Sequence, residues 1–218
     1  GMQEVLYSQL QFLDENLRDY TRVGVGRDDG QTAGEFAPIY FKNSRFRLLR
    51  DGNFWLSETP QVPSRGWDAV LNRICTYVHL YDIQSDQELY LFNTHFDHVG
   101  STARLRSSNL IMDSIRDKLS DETRVILTGD LNVVPGTLPY QVFDDDMIDS
   151  YESQLKLGPA GTYNGFNLQG PFNRRIDYIF SSGFKPVTYE TVSIVIENRF
   201  LSDHFPVISK LEYRPIIY

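Results

Sequence analysis

The chain has 218 residues, 41% hydrophobic and 13% aromatic, which is enough apolar material for one packed domain and too much for a disordered chain. Its formal net charge of −8 is the wrong sign for gripping long nucleic acid through the phosphates, so a small or locally bound substrate fits better. A single cysteine, Cys75, excludes an internal disulfide and a cysteine-built zinc site, and no run reaches the roughly 18 apolar residues of a membrane-spanning helix.

Gly1 ahead of Met2 has the form of a cleaved-tag remnant, so the natural start is expected elsewhere and the cellular location stays open. Leu6, Leu10, Leu13 and Leu17 recur at helical spacing and predict a first helix. The Gly-containing stretch 24–34 reads as a loop near a site. Short β-rich runs bounded by turn residues predict strands over 38–41, 73–81 and 88–94. Cys75 falls inside the second of these and reads as a buried packing thiol. Ile111, Ile115 and Leu119 predict a second helix over 103–119. Further strands are expected over 124–128, 176–180, 192–196 and 207–211, with a second polar loop at 158–170. Many strands with two helices point to sheets packed face to face with helices outside, not to a regular βαβ repeat, and no linker divides residues 1–218.

The chemistry-bearing residues stand at strand ends. Asp130 and Asn132 follow the apolar run 125–127 and, two residues apart, can project to one side. Taken alone, Asp-x-Asn is as readily a turn that caps itself. His95 ends another strand, with Asp97 and His98 directly after it, and imidazole can donate a hydrogen bond to a phosphoryl oxygen in either protonation state. Asp203 and His204 are adjacent and cannot both face one way in an extended strand, so the acid that orients His204 is sought elsewhere. Asp177, an acid in the apolar run around Ile176 and Tyr178, is the candidate; the competing assignment is a surface pair with Arg174 or Arg175. If Asp177 holds one ring nitrogen of His204, the other is free to take a proton from water.

Gln3-Glu4, Asn93-Thr94-His95, Gly129-Asp130-Leu131-Asn132, Arg175-Ile176-Asp177-Tyr178 and Ser202-Asp203-His204 occur in the order found in the endonuclease/exonuclease/phosphatase (DNase I-like) superfamily. The resemblance runs from residue 3 to about residue 212, and the segments 34–39, 55–57 and 66–68 resemble a bacterial subgroup of undefined substrate. It implies an α+β, four-layer α/β/β/α sandwich. It also implies a site in which Glu4 binds Mg²⁺ or Mn²⁺ with Asp203 beside the metal, His204 is the general base and Asp177 orients it. Asp130 and Asn132 then position nucleophile and phosphate, His95 stabilises charge on phosphorus, and Glu35 holds His95. Such a site performs in-line attack of water on a phosphoester.

The same resemblance places Arg73, Asn93, Trp67, Tyr163 and Phe166 on the substrate side; the three aromatics could equally pack their own loops. Family members normally begin with a strand and helix ahead of the Gln-Glu motif, so a single, N-terminally truncated domain is expected here. Missing strands imply open sheet edges, self-association or partial disorder near the N-terminus, and impaired metal binding. A small phosphorylated substrate is the first expectation and short or single-stranded nucleic acid the second. A truncated, binding-only form of the fold is the remaining alternative.

Overall fold

A computed structural model describes residues 1–118 and 123–214. In chain order the elements are α1 (Tyr7–Asn16), β1 (Tyr20–Val23), β2 (Ile39–Lys42), β3 (Phe46–Trp55), β4 (Ile74–Asp82), β5 (Gln87–His95) and α2 (Ser101–Arg116). There follow β6 (Arg124–Asp130), α3 (Leu138–Asp144), β7 (Ile148–Asp149), β8 (Leu155–Leu157), β9 (Asp177–Ser182), β10 (Phe184–Thr191) and β11 (Val207–Tyr213).

Six strands form one sheet in the order β3-β4-β5-β6-β9-β7. One face carries Phe92, Val125, Leu127 and Phe180, packed against Ile111, Met112 and Ile115 of α2 and Tyr140 and Phe143 of α3. The other face carries Val78, Leu80 and Leu89, packed against Val23, Ile39 and Phe41 of β1 and β2 and against Phe184 of β10. Outside that second layer, α1 presents Leu10 to Val5 and Phe36, with Tyr40 of β2 alongside. The four-layer α/β/β/α sandwich is therefore present, with each apolar face covered by the next layer.

The second layer is divided, with β1 and β2 forming one pair and β11-β10-β8 a separate three-stranded sheet. Among the described residues β2 and β11 each pair on one edge only. Cys75 is buried in β4, and burial holds its thiol well above the ordinary range, as a packing role requires.

The helix expected over 103–119 runs instead from Ser101 to Arg116, and Leu119 lies outside the described residues. Its first turn is satisfied from a distance, since the Asp68 carboxylate accepts the N–H groups of Thr102 and Ala103. The strand expected over 192–196 is not formed. The strand of this region is β10, which ends at Thr191, and Ile194, Val195 and Ile196 are exposed after it. Apolar content misplaced it, because β10 alternates Lys185 and Glu190 with inward residues such as Tyr189.

Candidate active site

Strand register builds the centre of the site. His95 at the end of β5 is the pairing partner of Asp130 at the end of β6, and Asp130 is in turn the partner of Asp177 at the start of β9. Three strand ends thus bring an imidazole and two carboxylates into one row. Asn132 follows with φ of 51°, a left-handed conformation that asparagine tolerates better than most residues. Its backbone N–H is accepted by Asp130 Oδ1 at 2.8 Å. Its side-chain amide donates to Phe96 O at 3.1 Å and lies 3.2 Å from His95 Nε2. The self-capping turn is therefore the one formed, with both side chains lying against the His95 end of β5.

The loop before β11 brings His204 onto this row. Its Nδ1 lies 2.8 Å from Asp177 Oδ2, and its Nε2 faces Asp130 Oδ2 at 3.9 Å. Thr162 accepts the backbone N–H groups of Ile176 and Asp177, and Tyr163 forms a bridge with His204 and sets its ring edge-on to the imidazole. The competing Arg175–Asp177 pair is absent, since Arg175 is bonded to buried Asp149.

Glu4 approaches from the other side, its Oε1 3.7 Å from His95 Nε2. Its backbone has φ of 59° and is fixed on both sides: Met2 N–H donates to Pro38 O, and Val5 and Phe36 exchange hydrogen bonds. Asn93 completes this anchor. It is fully buried, donates to Met2 O and Pro38 O, and accepts from Gln3 and Thr128. The structure therefore makes Asn93 a strut for the Glu4 segment and not a group on the cleft wall.

The expected hold of Glu35 on His95 is also not made. Glu35 Oε2 is 4.0 Å from His95 Nδ1, too far for a hydrogen bond, because its carboxylate is taken by Arg27. His95 Nδ1 is buried with no hydrogen-bond partner. Trp67, half-buried and with its backbone N–H donating to the Glu58 carboxylate, does not line the cleft. Tyr163 and Arg73 line an inner basin of about 460 Å³, whereas Phe166 projects over an outer one of about 690 Å³. Both basins share Glu4, Asp130, Asp203 and His204. His98, beside His95 in the sequence and expected at the cleft, lines the inner basin, whereas Arg27, Thr162 and Arg174 contribute without having stood out; Arg27 gave no signal beyond its place in the predicted 24–34 loop and Arg174 none beyond its place next to the Arg175 motif.

Electrostatics separate these groups. Burial, and then the charge of Asp177, pushes the Asp130 carboxyl up to about 7. Burial works against charge on His204, but the hydrogen bond and charge of Asp177, with Asp130 and Asp203 behind, outweigh it and raise the ring to about 9. His95 goes the other way: burial and then the nearby Arg73 and Arg27 hold it well below 6.5, so it is neutral. Glu4 is raised by burial and by Glu35 and Asp203. Acidic oxygens that raise one another in this way suit a hard divalent cation. The tightest metal-type grouping is Asp130, Asp177 and His204, whose ligand atoms lie within 4.8 Å of one another. His204 Nδ1 and Asp177 Oδ2 already bind each other, which leaves Asp130 and the second Asp177 oxygen as the oxygen donors of that group.

A family model described as Endonuclease/Exonuclease/phosphatase family matches residues 1–204. The solved structure of a mannosyl-6-phosphatase from Bacteroides thetaiotaomicron is 38% identical with a TM-score of 0.90, covering 97% of this chain and 84% of that one. A family protein from Bacteroides vulgatus is 36% identical with a TM-score of 0.92, covering 98% and 84%. An uncharacterised protein of Acanthamoeba polyphaga mimivirus is 30% identical over 173 residues, 71% of this chain. The chain spans 62% of that relative's length and 28% of a second mimivirus relative's.

Proposed function

The chain belongs to the Endonuclease/Exonuclease/phosphatase family, and from that premise we propose that it hydrolyses a small phosphoester by in-line attack of water, with a divalent cation bound beside the scissile phosphate. The observation that carries this is the bond of His204 Nδ1 to Asp177, which leaves Nε2 turned to the cleft at 3.9 Å from Asp130. An imidazole held by one nitrogen and open at the other is placed to take a proton from water. Asp130 accepts the Asn132 N–H and flanks the path of that water. Asn132 is a donor for charge that develops on phosphorus, and neutral His95 beside it joins as a donor when its ring proton is on Nε2 and the Asn132 amide turns to Phe96 O and the substrate.

Glu4, Asp130 and Asp203 would hold the cation, Mg²⁺ or Mn²⁺. Bound there, it would supply charge neutralisation at phosphorus and draw down the raised pKa values of Asp130 and His204, freeing His204 to act as a base at neutral pH. A small substrate is favoured by the acidic chain and by its likeness to a protein described as a mannosyl-6-phosphatase.

The test is phosphate release with Mg²⁺ or Mn²⁺ from sugar phosphates, nucleotides and aryl phosphates, with chelator as control. His204→Ala should lower the rate by roughly 10² or more with the circular dichroism spectrum unchanged. Near-normal turnover by that variant would sink the general-base assignment.

A further inference from the structure

The inner basin is lined by groups of both signs: Glu4, Glu35, Asp130 and Asp203 bring carboxylates and Arg73 and Arg174 guanidinium groups, with His95, His98 and His204 among them. Arg73 is 3% exposed, and its Nε and Nη1 have no hydrogen-bond partner; an ion pair to Asp97 Oδ2 at 3.6 Å, with the charge of Glu35 behind it, offsets its charge. Asp97 itself accepts the N–H groups of Val70, Leu71, Val99 and Gly100, which, against burial, hold its carboxyl below the ordinary range and keep it charged. Arg73 Nη2 lies 3.0 Å from His98 Nδ1. A guanidinium can only donate, so His98 Nδ1 accepts, the ring proton is on Nε2, and that N–H has no hydrogen-bond partner among the described residues. Arg174 stacks over the Tyr163 ring, 4.9 Å from its centroid, while the same ring abuts His204. Among the described residues Arg174 has no ion-pair partner, in a chain whose acids outnumber its bases by 29 to 21.

We infer that Arg174 and His98, with Arg73 bracing His98 from behind, bind the third non-bridging oxygen of a terminal phosphate and so make the chain selective for phosphomonoesters over phosphodiesters. This rests on the phosphoesterase reading above. A phosphomonoester is a dianion near neutral pH. Two of its oxygens are served by the cation side and by the Asn132–His95 pair, and the third carries the charge that a diester replaces with an ester oxygen. A guanidinium and an imidazole N–H that line the same basin as the carboxylates match that oxygen and gain nothing from an alkylated one. Arg174 and His98 are thus specificity residues, and Arg73 is a positioning residue.

The experiment compares p-nitrophenyl phosphate with its methyl diester, in Mg²⁺ or Mn²⁺, for the intact chain and for Arg174→Gln, Arg174→Lys and His98→Ala. Arg174→Gln and His98→Ala should each lower the ratio of monoester to diester kcat/KM by at least 10-fold, chiefly through KM for the monoester, and Arg174→Lys should recover part of it. Equal losses on both substrates, or none, overturn the inference. In parallel, calorimetry measures inorganic phosphate and dimethyl phosphate binding to the metal-loaded chain. Phosphate should bind at least 10-fold tighter, and Arg174→Gln should erase the difference. If the intact chain turns over neither ester, the phosphoesterase reading fails while this binding comparison still decides the anion site. Equal binding of the two anions removes the site as well.

Discussion

Arg175 donates from Nη1 to Asp149 Oδ2 across 2.6 Å in the protein interior, and this bond leaves Asp177, two residues along, to His204. The two acids therefore have separable duties. Asp149 is fully buried and also accepts from Tyr140, while Arg175 lies among the rings of Tyr151 and Tyr178. Asp149→Ala leaves a buried guanidinium without its counter-charge and should cost about 3–5 kcal/mol, read as a lower urea midpoint. Asp177→Asn, at the cleft, should leave that midpoint within about 1 kcal/mol but cut turnover by roughly 10² or more, because the imidazole loses the acceptor that orients it. If both variants lost stability and activity alike, the two pairs would be one network.

The site histidines should titrate on opposite sides of the ordinary value. In the metal-free chain His204 is raised to about 9, and His95 is held well below 6.5. Since the folded pKa of His204 exceeds its unfolded value, the stability it contributes is complete below about pH 6.5 and is lost as pH rises towards 9. Imidazole proton shifts followed by NMR should show one ring still charged at pH 8, and its midpoint should fall when Mg²⁺ is added. A ring that titrates near 6.5 without metal would mean that Asp177 and Asp130 do not act on it.

What the sequence disclosed and what it hid divide along physical lines. His95, Asp130 and Asp177 were legible because each closes or opens an apolar run, and the parallel and antiparallel register then sets them side by side. Strand β3 was not, since Arg47, Arg50, Asp51 and Asn53 break its alternation and its exposed face resembles a loop. The partner of Arg175 lies 26 residues away and only packing identifies it. The family resemblance puts Asn93 and Trp67 on the substrate side, and nothing in their sequence neighbourhood says otherwise. The pleat turns Asn93 into the second layer, and a left-handed backbone at Trp67, with φ of 48°, accompanies its N–H bond to Glu58 away from the cleft.

Glu4 combines a left-handed backbone with a side chain that is 58% exposed and lines both basins, so its carboxylate is presented without being part of the core. Glu4→Gln keeps the shape and removes the charge. Half-maximal activation should then need about 10-fold or more Mg²⁺, with the unfolding midpoint of the metal-free chain unchanged or slightly raised, because Glu35 and Asp203 repel the native carboxylate. An unaltered Mg²⁺ titration would remove Glu4 from the ligand set.

The tie between the two β layers should fail in acid through one residue. Asp82, at the end of β4 and with no exposed side-chain surface, lies 2.8 Å from Arg45 Nη2 and accepts from Tyr213 of β11 at 2.9 Å and from the Gln84 N–H at 3.1 Å. Burial alone would raise its pKa, but Arg45 and Tyr213 outweigh burial and hold the carboxyl at about 2. A depressed folded value means that the contribution is complete above the unfolded value near 4 and disappears as pH falls through 2. Holding the carboxyl at about 2 instead of at its ordinary value stabilises the fold by about 2 kcal/mol. Urea unfolding of the intact chain should therefore show that loss between pH 4 and 2. Asp82→Asn should start lower by a similar amount at pH 6 and have a flatter acid limb, since the group that titrates is gone. Parallel acid limbs for the two proteins would assign the acid sensitivity to other carboxylates and leave Asp82 a packing residue.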